Sequence, residues 1–477
     1  MNSHSRRDLL FGASALAAGA SLLNTVPALA KDKSYDPSMT VSLPPEELAK
    51  YANPSLLEHI TAANPLVYRE RAYEVMDKYG LDGLVATTPK NVYYLSSHDN
   101  VFFHTGIEHM LMAFLPRNEN AEPTLIMWGP LLYHLDYRPT WMPHVEVYTA
   151  PAGGPGEITA EDMLGIPEAM RYNRNLVRKD ADLSERDLFQ LALAAEYYDK
   201  TSASAVHALK RTIINAGLTN SRIGFDDPRV IPWMRDVGLL HVAGVDANDI
   251  FREVRMVKSN TELEIIRQSC LMCEASLDAA IESLHVGQEI AEVEGQYRRK
   301  MGELGGDTLW LIINQDGLNS GRIKRDEVIK IDSVGRYQGY IGDIGRSIVV
   351  GNPTDETAKR NEANTKALAE AYSQIRPGTK FSTAAKIVAD VMAQEGFNGY
   401  GSPHNVGLDH TDQPTAMGNP LLRADEPVFS ENTVFTLDVP YLEVGYGSSH
   451  VEDMMVVTKS GAVPISTADT SLRVLPA

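Results

Sequence analysis

Asp332 and Asp343 stand eleven positions apart (343 − 332 = 11) in the stretch IKIDSVGRYQGYIGDIGRSIVVG. It reads as two short apolar strands, VIKID and SIVVG, around a turn, RYQGY. Such a hairpin brings carboxylates from separated positions into one pocket. Two buried carboxylates repel, and one holds a proton unless a cation lies between them. Two hairpin aspartates alone more often simply face water, but further donors follow downstream. His404 lies in GSPHNVGLDHTDQP, Asp438 in the otherwise apolar VFTLDVP, and Glu452 in SSHVEDMMVVT. A carboxylate inside an apolar strand is costly to bury without a partner. Four carboxylates and one imidazole suit a pair of divalent first-row ions such as manganese, iron, cobalt or zinc. Two such ions can share a bridging hydroxide and polarise a substrate oxygen.

The series of motifs is GY-x-x-D-I-x-R, H-x-x-GL, a carboxylate in F-T-x-D-x-P, and V-E-D-x-x-x-V-T. It resembles the pita-bread enzymes, which include Xaa-Pro aminopeptidase, prolidase, methionine aminopeptidase and creatinase. The likeness covers roughly residues 65–465 and favours the two-domain creatinase/prolidase branch. By that resemblance Asp332 chelates a first metal, Asp343 and Glu452 bridge both, and His404 and Asp438 hold the second. It also implies a homodimer and a peptide or small amide as substrate.

Several positions depart from the family pattern. Glu is usual where this chain has Asp438, and one methylene less withdraws the carboxylate by about 1.5 Å. The usual DITRT is DIGRS, so a threonine becomes Gly345. No histidine precedes Asp332 in NQDGLNSGRIKRDEV, where the peptidases carry one. They carry another seven residues after the metal histidine, whereas His410 follows His404 by six (410 − 404 = 6). On a strand, that offset turns a side chain to the opposite face. His450, two residues before Glu452, shares its face on a regular strand and reads as a replacement proton donor or an added ligand. His410 and His450 are thus the candidate catalytic residues. The segment HNVGLDHTDQP also resembles dimethylsulfoniopropionate lyase, a member of this fold that eliminates rather than hydrolyses. The readings are therefore a metal-dependent hydrolase, a lyase on the same scaffold cleaving a C–S, C–O or C–C bond of a small carboxylate, and a metal-free ligand-binding relative.

The elements that must position these residues form two domains. Residues 65–252 alternate helix and strand: YRERAYEVMDKYG reads as a helix, and LDGLVATT, NVYYLSS, LMAFLP, TLIMWG and RIGFDD as strands. This is an α/β N-terminal domain. Residues 253–477 form an α+β pita-bread catalytic domain. It opens on a helix with a capping box, Ser259-Asn260-Thr261-Glu262. Cys270 and Cys273, the only cysteines, fall on that helix's apolar stripe and read as buried small hydrophobes rather than a redox or zinc pair. His98, His104 and His109 fit no standard metal spacing and read as scattered loop residues. Trp310, Tyr340, Tyr441 and Tyr446 fall near the expected site.

Residues 31–64 read as an extended arm with a short helix. Residues 1–30 carry Arg6-Arg7 before an Ala/Gly/Leu-rich run and end in Ala28-Leu29-Ala30, the pattern of a twin-arginine signal for export to the periplasm. The net charge of −19 is spread along the chain and disfavours nucleic acid and anionic membranes as partners. No phosphate-binding loop is present, so nucleotide binding is unsupported.

Overall fold

A computed structural model of the chain describes residues 37–149, 176–414 and 426–477. The stretch expected to be an export signal, residues 1–30, and the first residues of the expected arm lie outside them. The rest of the arm runs through short helical turns, and β1 (Thr40–Ser42) pairs with β6 (Leu176–Arg178).

The first unit is built on a six-stranded mixed sheet, in order β5 (His144–Tyr148), β4 (Thr124–Trp128), β3 (Met112–Pro116), β2 (Gly83–Ala86), β7 (Arg222–Phe225) and β8 (Ala243–Asp246). Its central strands are buried on both faces, as their near-continuous apolar runs require. Helix Arg69–Tyr79 ends at Gly80, which takes the left-handed conformation glycine supplies at a C-terminal cap. NVYYLSS is not a strand: helix Pro89–Ser96 takes in all of it but the capping Ser97, with Pro89 in the first helical turn and Val92 to Leu95 all buried.

Helix Asn248–Arg255 leads to the second unit. Helix Asn260–Glu282 opens with the expected capping box: Ser259 accepts from the Glu262 amide while Glu262 accepts from the Ser259 amide. It packs on a four-stranded sheet in the order β17 (Arg473–Leu475), β11 (Tyr340–Val350), β10 (Val328–Tyr337), β9 (Asp307–Asn314). The contact is close because Gly342 has no side chain; a Cβ there would lie 2.6 Å from the Ser269 carbonyl oxygen and 2.7 Å from Cys273 Sγ. Both cysteines are buried and unpaired, and burial pushes the Cys273 thiol up to about 12, so it does not ionise readily.

A second sheet faces the first, in order β12 (Ser402–Asn405), β13 (Val434–Glu443), β15 (Met454–Thr458), β16 (Gly461–Pro464), with β14 (Gly447–Val451) also paired to β13. Helices Asp355–Gln374 and Phe381–Gln394 cover it over an apolar core that includes Ala367, Phe381, Val388, Phe435 and Leu437. A bridge between Gly345 of β11 and Glu452 joins the two sheets. No helix among the described residues is long and apolar enough to cross a membrane.

Candidate metal centre

The predicted hairpin exists, with a tighter turn and longer strands than the sequence suggested. β10 and β11 are joined by Gln338 and Gly339, both at positive φ. Asp332 pairs with Gly345 and Val334 with Asp343. Paired residues, and residues two apart on one strand, share a face. Asp332 and Asp343 are therefore diagonal neighbours on one face of the hairpin.

The second sheet supplies the other side. His404 of β12 pairs with Thr436 of β13, and Asp438 follows two residues later on the same face. The pairs Thr436–Met454 and Val439–Val451 bracket Asp438 opposite Glu452. Three clusters result, each with donor atoms within 4.8 Å of one another: Asp332, Asp343 and Glu452; His404, Asp438 and Glu452; Asp343, His404 and His410. All five residues expected to hold metal thus meet on one floor, and Asp343 and Glu452 each belong to two clusters.

His404 carries the signature of an imidazole prepared to ligate. Its Nδ1 lies 2.9 Å from the His410 carbonyl oxygen and donates to it, leaving Nε2 facing Thr436 Oγ1 at 2.9 Å, Asp438 Oδ2 at 3.5 Å and Asp343 Oδ2 at 3.8 Å. His410 does not turn away. The chain beyond β12 is a bend rather than a strand, so the offset of one residue carries no change of face. Its Nε2 lies 3.0 Å from Asp343 Oδ2, and its ring meets Trp310 edge-on at 4.7 Å. The Trp310 indole N–H donates to Asp332 Oδ1 at 3.3 Å.

The electrostatics are those of a cation site. Burial, and then the charges of Asp343, Asp438 and Asp332, pushes the Glu452 carboxyl well above its usual range. Burial also raises Asp343, against the pull of His410 and His404. For Asp438 burial acts in the same direction, but hydrogen bonds from His404 and His450 outweigh it and hold the group well below the usual carboxylate range. Burial would lower His404, but Asp438 and then Asp343 raise it. Asp343 Oδ1 and Glu452 Oε1 are buried without a hydrogen-bond partner among the described residues, and Asp343 Oδ2 has only the His410 imidazole, 3.0 Å away. Orphaned carboxylate oxygens crowded around a common point are what divalent cations satisfy, so the residues present fit a metal pair.

A cleft of about 490 Å³ opens beside this floor. Trp310, Leu408 and His410 line it together with Lys90, Arg252, Arg255 and Arg336 against Glu108 and Asp409, so its wall carries a net positive charge. The loop bearing His410 is fixed from beneath. Arg255 reaches Asp412 Oδ1 at 2.7 Å and Asp409 Oδ2 at 3.1 Å, and Lys258 lies 3.6 Å from Asp412 Oδ2. Lys90 pairs with Asp409 from the N-terminal unit.

The remaining candidates lie elsewhere. His98 is buried with Nδ1 against the Arg138 carbonyl oxygen, His104 pairs with Asp99, and His109 with Asp227. Glu108, His109 and Asp227 do come together, but Arg229 already supplies the cation there. Tyr340 donates to Glu262, and Tyr441 and Tyr446 flank Arg360. Thr436 escaped the sequence reading, although its place two residues before Asp438 puts it on the ligand face.

The fold and this floor define a pita-bread domain preceded by an α/β unit. Residues 264–459 match the family model of metallopeptidase family M24. A Xaa-Pro dipeptidase from Pyrococcus horikoshii is 27% identical over 238 residues, 47% of this chain and 66% of the relative. A probable dipeptidase, PepE, from Mycobacterium tuberculosis is 25% identical over 260 residues, 52% of this chain and 67% of the relative. The chain thus spans about two thirds of the length of these relatives. Among solved structures, the prolidase from Pyrococcus horikoshii OT3 superposes with a TM-score of 0.57 at 20% identity, covering 84% of this chain and 98% of that one. A Xaa-Pro dipeptidase from Bacillus anthracis gives 0.61 at 15% identity, covering 85% and 98%. In fold the chain is of the prolidase type.

Proposed function

We propose that this chain is a metal-dependent hydrolase of the Xaa-Pro peptidase type, acting on a short peptide or a related small amide. The observation that carries the reading is the convergence of Asp332, Asp343, His404, Asp438 and Glu452 on one buried floor, with Asp343 Oδ1 and Glu452 Oε1 left unsatisfied there. Asp332 would hold one divalent ion and His404 and Asp438 a second, with Asp343 and Glu452 shared between them. Manganese, iron, cobalt and zinc all suit this donor set. Such ions supply Lewis-acid polarisation of a carbonyl and an activated water. The protein's own part is orientation and proton handling. His410, half-buried at the edge of the cleft, is placed to exchange a proton with substrate while Trp310 holds its ring. Lys90, Arg252 and Arg336 suit the terminal carboxylate of a small peptide.

The lyase alternative was motivated by two missing histidines. The approach of His410 to Asp343 weakens half of that motive, while the stretch before Asp332 still has none. The arginine pair and apolar run before residue 31 support export to the periplasm, and the resemblance supports a homodimer. The test is metal content and product analysis on purified full-length protein with Xaa-Pro dipeptides. Wild type should bind two divalent ions and release free amino acids, and Asp343→Asn should lose both properties. An unsaturated product would establish the lyase instead, and full turnover by D343N would sink the metal reading.

A further inference from the structure

Gly345 and His450 occupy one space. A Cβ built on Gly345 would lie 1.7 Å from His450 Cδ2 and 2.2 Å from its Nε2, and no side chain fits there while the imidazole is present. Gly345 does not lie at positive φ, so its backbone does not demand glycine. The imidazole does. From that position His450 Nε2 reaches Glu452 Oε2 at 2.9 Å and Asp438 Oδ1 at 3.4 Å, while the other Asp438 oxygen faces His404. The His450 side chain is 1% exposed and does not line the cleft.

We propose that His450 is a positioning residue for the metal centre: it clamps Asp438 and Glu452 together and makes up for the short reach of Asp438, with Gly345 making room for it. The inference rests on the metal-centre reading. A role as a direct ligand is disfavoured by the far side of the ring. Ligating imidazoles anchor their second nitrogen, as His404 does on the His410 carbonyl, whereas His450 Nδ1 has no hydrogen-bond partner among the described residues. The geometry also makes two arrangements mutually exclusive. A carboxylate one methylene longer at position 438 would advance about 1.5 Å, into the imidazole's place. An aspartate with His450 above it, or a glutamate with that place vacated, each fills the site once.

Full-length protein stripped of metal is titrated with cobalt(II) against a chromophoric chelator, so that both affinities are read without reference to activity. His450→Ala should weaken the ion bound by His404, Asp438 and Glu452 about ten- to a hundred-fold, and the other ion, which loses only the steadying of the shared Glu452, by less. Gly345→Ala should reproduce that loss, because the methyl group evicts the ring. His450→Gln, which keeps a donor of similar reach, should retain most of the affinity; it also covers the case in which H450A melts early. Asp438→Glu alone should weaken the same ion, and the double variant D438E/H450A should recover it. Unchanged affinity in H450A, or a double variant binding no better than H450A, would overturn the inference. Failure of the wild-type chain to bind cobalt at all would instead remove the metal-centre reading on which it stands.

Discussion

The eleven-residue spacing of Asp332 and Asp343 is a consequence of register. With Asp332 opposite Gly345, its neighbour across the hairpin two residues on is Asp343, and the pleat turns both the same way. That much was legible, because strand periodicity and a glycine-containing turn can be read from residues alone. The behaviour of His410 was not. Counting from His404 assumes a strand, and the chain bends immediately after Asn405, where the tie of Asp412 to Arg255 decides the direction of the loop. His410 now sits between Asp343 and Trp310 without being needed to hold either ion. His410→Ala should therefore lower kcat about 10²- to 10⁴-fold, the usual worth of a proton-transfer group, with metal content intact. Steady-state kinetics paired with elemental analysis on the same sample checks this; parallel loss of metal would make His410 a ligand instead.

Among the elements, long helices with capping signals were the readable ones, and short apolar runs were not. VYYL is buried on every side, so its periodicity cannot separate a strand from a buried helix, and Pro89 in the first turn settles it for the helix. The capping box of helix Asn260–Glu282 was read correctly, but its electrostatic consequence needed the fold. Glu262 is fully buried, and burial raises its carboxyl from 4.5 to about 7, against Lys258. The folded chain thus keeps a proton that the unfolded chain releases. The associated stability is fully present below about pH 4.5 and is lost as pH rises towards 7. Glu262→Gln keeps an acceptor for Tyr340 or the Ser259 amide and cannot ionise. Thermal melts from pH 5 to 7.5 should show a shallower decline for E262Q than for wild type, and identical slopes would show that Glu262 does not carry the effect.

At the scale of the whole molecule, the two units meet through charge. Arg255 and Lys258, both buried, neutralise Asp412 at the joint, and Asn91 and Lys90 reach in from the N-terminal unit. Asp412→Ala leaves the buried Lys258 without its carboxylate and Arg255 with only the more exposed Asp409, a loss of about 3–5 kcal/mol. The more exposed Asp409→Ala should cost about 1 kcal/mol or less. Urea unfolding of the two variants distinguishes them, and equal midpoints would mean the joint is held by apolar packing alone. None of this polar seam was visible in the sequence, where the basic and acidic members lie more than a hundred and fifty positions apart. Every expected metal donor comes from the C-terminal unit, yet the loop that carries His410 takes part of its order from Lys90 and Asn91. The catalytic unit is consequently not a portable module. Grafting it onto the leading domain of a relative would preserve the metal floor and loosen the loop that carries His410, unless those two side chains travelled with it.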